Sequence, residues 1–175
     1  MSTTATEAPA APALRRLYFF RFGFALVWAG LLFTSASALG PLSIALLVAY
    51  PLFDVLAAVV DLRSARTLGL YVNIAISGLA GIGLAVAVTS GIPAVLRVWG
   101  IWAIASGLVQ LAVGVSRRAM GGQWAMILSG GLSAIVGTYF VVQAAQPDAS
   151  LTTLAGYATV GGLFFLASAV RLTRS

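Results

Sequence analysis

Six long apolar runs, each the length of a membrane-crossing helix, leave this chain almost no alternative architecture. They fall near residues 17–38, 42–62, 67–89, 94–116, 122–145 and 150–171. A helix needs about 20 mostly apolar residues to cross the hydrocarbon of a bilayer. The runs are continuous and lack the period-2 alternation of membrane β-barrel strands. Each break carries turn or helix-start chemistry: Gly40-Pro41, Asp61 to Arg66, Ser90-Gly91-Ile92-Pro93, Ser116 to Gly122, and Gln146-Pro147-Asp148. Composition agrees. Only 8% of residues are charged and 61% are hydrophobic, whereas a soluble domain is about a quarter charged. The expected fold is an all-α membrane protein with six transmembrane helices arranged as three repeated helical hairpins.

Charge placement predicts the topology. The ten bases are all Arg, against four acids. Arg15 and Arg16 precede the first span, Arg63 and Arg66 follow the second, Arg117 and Arg118 follow the fourth, and Arg171 and Arg174 close the sixth. If every span crosses, these eight share one side. The positive-inside rule then puts both termini in the cytoplasm. A multi-pass protein of a bacterial inner membrane is expected, with residues 1–14 as a disordered cytoplasmic tail and residues 15–175 as the membrane domain. A rival reading makes Arg15-Arg16, the following apolar stretch and Ala36-Ser37-Ala38 a cleavable signal peptide. Pairs of Arg at membrane edges suit a topology signal and attraction to anionic lipid, and no nucleic-acid partner is expected.

The chain also repeats. Three hairpins of similar length, about 15–66, 67–118 and 119–175, each end in a basic patch. Their odd spans share small-residue stretches: Trp28-Ala29-Gly30-Leu31, Ser77-Gly78-Leu79-Ala80-Gly81 and Ser129-Gly130-Gly131-Leu132-Ser133. Such repeats mean one unit stacked to bury a common face.

Arg97-Val98-Trp99-Gly100-Ile101-Trp102 followed by Ala105-Ser106-Gly107-Leu108, the stretch from Gly122 to Ser133, and Ala155-Gly156-Tyr157 through Gly161-Gly162-Leu163 to Leu172 carry a family likeness. Over residues 14–174 the pattern resembles the HdeD-like acid-resistance membrane protein family, whose domain is a short membrane repeat of unknown function. The first repeat fits it less well. The resemblance implies a six-span inner-membrane protein and, as in the family's named members, a part in acid stress without established chemistry.

Asp54 is the most informative residue. It lies about 12 residues into the second span, where an Asp costs roughly 2.5–3.5 kcal/mol to insert. Such a residue faces a partner or a cavity. At the repeat offset it corresponds to Gly107 and Gly161, and Asp61 corresponds to Gly114 and Ser168. Asp54 and Asp61 are two helical turns apart on about the same face. Arg21 is the expected partner of Asp54, because their depths, counted from the turn near residue 39, differ by about 4.5 Å at 1.5 Å per residue. Three readings stay open: a buried ion pair that fixes register, a proton or cation site at Asp54, and an Asp54 kept neutral or hydrated.

Arg97 is the lone Arg on the opposite side. It reads as a side chain snorkelling to headgroups, with an outward anion contact or a pair with Asp148 as alternatives. Gly100, Gly107 and Gly114 recur every seven residues along the fourth span and form a smooth stripe for helix packing. Homo-oligomer contact is the alternative use of that stripe. Asn73, Gln110 and Gln143 are expected to hydrogen bond between helices or, alternatively, to line a pore. Trp99, Trp102 and Trp124 suit an interfacial belt, and Trp28 suits the core.

There is no His and no Cys, which excludes imidazole catalysis, thiolate chemistry and the usual zinc sites. Gly78-xx-Gly81-x-Gly83 lies within an apolar span and reads as packing. No enzyme activity, metal or cofactor is expected. The leading expectation is a stress-related structural or interaction protein whose partners are the bilayer, a copy of itself or another membrane protein. The alternative is a small proton- or ion-linked transporter or channel using Asp54.

Overall fold

The computed structural model describes residues 10–63, 66–116, 118–120 and 123–174. Among them the fold is all helical: α1 (Ala10–Ser35), α2 (Pro41–Asp61), α3 (Leu68–Ala87), α4 (Ile92–Ser116), α5 (Trp124–Gln143) and α6 (Thr152–Arg174), with 3-10 turns at Val88–Ser90 and Arg118–Met120. All six helices contain a stretch long and apolar enough to cross a membrane. α1 starts at Ala10, ahead of the start near residue 17 read from the apolar run. Residues 1–9 of the expected tail lie outside the described residues, as do Ser64, Ala65, Arg117, Gly121 and Gly122 of the expected breaks.

The breaks work through their backbone chemistry. Gly40 caps α2 in extended conformation and Pro41 opens it, where its missing N–H costs nothing. Ser43 donates to the carbonyls of Ala38 and Gly40 at 2.9 and 3.0 Å and so ties the turn to the helix. Between α3 and α4, Gly91 turns the chain at φ 91°, a conformation that favours glycine.

Every neighbouring pair of helices runs antiparallel. Phe24 meets Phe53 and Trp28 meets Tyr50 across α1 and α2. Ser77 meets Asp54, and Trp102 meets Ser77. Gly100 faces Gly137, and Gly107 faces Gly130. Tyr157 meets Ser133 across α5 and α6. α6 then returns to α1, where Gly162 lies against Ala25 and Tyr18 against Phe165. The helices therefore close a circuit in chain order. Arg15, Arg16, Arg63, Arg66, Arg118 and Arg171 sit at or near the helix ends on one side, termed here the arginine end, and the opposite side is the distal end.

The hairpin is not the unit of tightest packing. α4 packs closest on α5, and α6 on α1, whereas α1–α2 and α5–α6 touch least. Glycine explains α4–α5. A Cβ added at Gly100 would stand 2.6 Å from the Gly137 carbonyl oxygen, and one at Gly107 2.6 Å from the Gly130 carbonyl oxygen. Backbones approach this closely in lipid only where side chains are absent. The expected stripe on α4 thus meets α5 within the same chain.

The repeat is visible in these contacts. Positions 53 residues before Gly107 and Gly130 are Asp54 and Ser77, which also meet, on α2 and α3. Positions 53 residues before Gly100 and Gly137 are Leu47 and Leu84, both fully buried. The large core side chains gather toward the distal end: Trp28, Leu32, Leu47, Leu84, Leu96, Trp99, Phe140 and Leu154 are at most 2% exposed.

Candidate intramembrane polar site

Asp54 is placed by the inward stripe of α2. Ser43, Leu47, Pro51 and Ala58 on that stripe are buried, and spacings of three and four keep Asp54 on the same face. From Pro41 to Asp54 the helix rises about 20 Å, so the carboxylate lies deep between the two ends. Arg21 reaches it from α1, where Ala25, Trp28 and Leu32 mark the inward face.

The carboxylate accepts from three side chains. Arg21 Nη2 donates to Oδ1. Asn73 Nδ2 donates to Oδ2 at 2.7 Å, and Ser77 Oγ donates to the same oxygen at 2.9 Å. Ser77 in turn accepts the indole N–H of Trp102 at 3.1 Å. The Arg21 guanidinium lies 4.2 Å from the centre of the Phe165 ring on α6, within the range of a cation–π contact. Asp54 therefore joins α1, α2, α3 and α4 by hydrogen bonds, and Arg21 adds α6. The Arg21 and Asp54 side chains are each 14% exposed.

An aromatic plug sits on the distal side of this site. Trp28 lies 4.7 Å from Tyr50 and 5.4 Å from Trp99 between ring centres, and Trp99 lies 5.2 Å from Trp102. The Trp28 indole donates to the Leu46 carbonyl at 2.7 Å. These rings fill the space between α1, α2 and α4. Trp99 and Trp102 are thus core residues and not the interfacial belt expected of them, because they share the inward face of α4 with Val95 and Ala103. Trp28 is in the core as expected. Trp124, 70% exposed at the start of α5, suits the belt.

The other sequence candidates separate from the site. Asp61, the last residue of α2, shares the Asp54 face and makes no ion pair among the described residues. Arg97 and Asp148 are both exposed, and no ion pair joins them among the described residues. Gln143 accepts from Thr153 at 2.9 Å and links α5 to α6. Among the described residues, no group of three possible metal ligands forms. A groove of about 390 Å³ opens between α5 and α6, but it is apolar and contains neither Asp54 nor Arg21.

The Arg21–Asp54 pair was readable from matched depth. The engagement of Asn73 and Ser77 with Asp54 was not. Asn73 reads as an interhelical hydrogen-bonding residue with no partner named, and it does bond between helices; Ser77 reads only as part of a small-residue stretch. The missed signal is their spacing of four on α3, which puts both on one helix face. Comparison of the chain with protein-family models, with curated proteins and with solved structures finds no match.

Proposed function

We propose that the protein is a stress-related scaffold of the acid-resistance kind, acting through packing with itself, with lipid or with another membrane protein, and not through catalysis. The carrying observation is the engagement of Asp54: donors from α1 and α3 occupy both carboxylate oxygens. A carboxylate held this way braces helices. The clustering of Arg at one end supports an inner-membrane protein with both termini in the cytoplasm. The acid-stress part rests on the family resemblance.

A second reading is favoured by the 14% exposure that Asp54 and Arg21 retain deep in the bundle. It makes the protein a small proton- or ion-linked transporter or channel using Asp54, with Arg21 and Asp61. Survival of a deletion strain after acid shock separates the two, with wild type or Asp54→Asn restored at matched membrane levels. The scaffold reading expects a loss on deletion and rescue by both forms. An Asp54→Asn protein that reaches wild-type levels and fails to rescue overturns it in favour of the transporter. No effect of deletion removes the stress role.

A further inference from the structure

The inward faces of the helices change character along the bundle. Toward the distal end they carry Leu32, Leu47, Leu84, Leu96, Trp99 and Phe140, all sealed. From Asp54 toward the arginine end the same helical stripes carry polar groups. On α4 the stripe through Trp99 and Ala103 continues to Ser106 and Gln110; on α3 the stripe through Leu84 and Ser77 continues to Asn73; and on α2 the stripe through Leu47 and Asp54 continues to Asp61. Asp61, Asn73 and Gln110 on these stripes are only half-buried. In this half the fully sealed inward positions are small residues such as Ala57, Ala58, Gly114 and Ala169. Large side chains close the distal half; in this half Tyr18 and Phe165 meet beside Arg21, but among the described residues no large side chain is fully buried. Three buried donors have no hydrogen-bond partner among the described residues: Arg21 Nε and Ser106 Oγ near the Asp54 level, and Trp99 Nε1 within the plug. Buried donors of this kind are ordinarily satisfied by protein or by ordered water, and intramembrane charges face the bundle interior or a water-filled cavity.

We propose that the arginine-end half of the bundle encloses a one-sided aqueous vestibule, which admits water past Asp61 as far as Asp54 and Arg21 and ends at the plug of Trp28, Tyr50, Trp99 and Trp102. The scaffold reading does not require this vestibule, so either can fail alone.

The chain has no Cys, so single cysteines report access without background. The probe is a positively charged, membrane-impermeant methanethiosulfonate, applied to vesicles of each orientation. Arg16→Cys and Asp148→Cys calibrate the arginine and distal sides, and Leu79→Cys, on an exposed apolar face, serves as the lipid control. Gln110→Cys and Ser106→Cys should label from the arginine side only. Leu96→Cys, beyond the plug, should resist from both sides and label only after unfolding. Folded Gln110→Cys and Ser106→Cys proteins that both resist from both sides overturn the vestibule, and equal labelling from both sides overturns the plug. Ser106→Cys changes one atom and guards against a result caused by misfolding at Gln110.

Discussion

At Asp54, the donors on α3 matter as much as the charge on α1. Exchanging the charges, Arg21→Asp with Asp54→Arg, restores opposite signs but replaces the acceptor with a longer guanidinium that accepts nothing, so Asn73 must turn its amide and Ser77 must accept where it now donates. The swap should therefore recover only part of the stability lost in Asp54→Ala, as read by denaturant unfolding in micelles. Removing one partner of a buried pair costs about 3–5 kcal/mol in the driest cases, and the 14% exposure of this pair puts its cost below that range. Full recovery by the swap would mean that the present donor geometry on α3 is not needed. Ser77→Ala tests them directly. It removes the bond to Asp54 and leaves the Trp102 indole without its acceptor. A loss of about 0.6–2 kcal/mol is expected, since hydrogen bonds within membranes are individually modest.

Glycines divide by what stands beside them. At Gly107 an added Cβ would meet the Gly130 carbonyl oxygen at 2.6 Å and the Ala134 nitrogen at 2.9 Å. Both are backbone atoms, so α4 and α5 must part. Gly107→Ala should lower stability by about 1–3 kcal/mol, the usual cost of overpacking. At Gly131, one position beyond Gly130, nothing lies within 4 Å. Gly131→Ala should be neutral or slightly stabilising, because Ala favours the helix. Unfolding midpoints of the two variants compared side by side check the contrast. The existence of six helices was legible because apolar run length alone decides it. The stripe on α4 was legible as a packing surface because its period is seven. Its partner was not, because small residues also occur at Gly78 and Gly131, where an added Cβ would meet nothing within 4 Å. Composition marks where a close approach is possible, and only the phase of both helices says where it occurs. Trp99 and Trp102 misled for a related reason: depth suggested an interface, while helix phase turned them inward.

For the bundle as a whole, the contacts that hold the helices run mainly between the repeats. α5 and α6 share a loop yet touch little, while α6 is tied closely to α1. A chain divided in the loop at Pro147, with both pieces co-expressed, should therefore reassemble, because α6 keeps its contacts with α1 at Gly162 and Phe165. Co-purification of the C-terminal piece with a tagged N-terminal piece is the expected result. Failure of the two pieces to associate while both are inserted would show that the covalent loop, and not the α1–α6 contact, closes the circuit.

That closure also imposes an order in time. α1 leaves the ribosome before the other five helices, and the face it finally gives to α6 has no occupant from this bundle until α6 has been inserted. Through most of synthesis, Phe22 and Ala25 must rest against lipid or against some temporary companion. A polypeptide interrupted before Thr152 leaves that side of α1 bare and Arg21 without the Phe165 ring, a form that a membrane quality-control protease could tell from the finished protein.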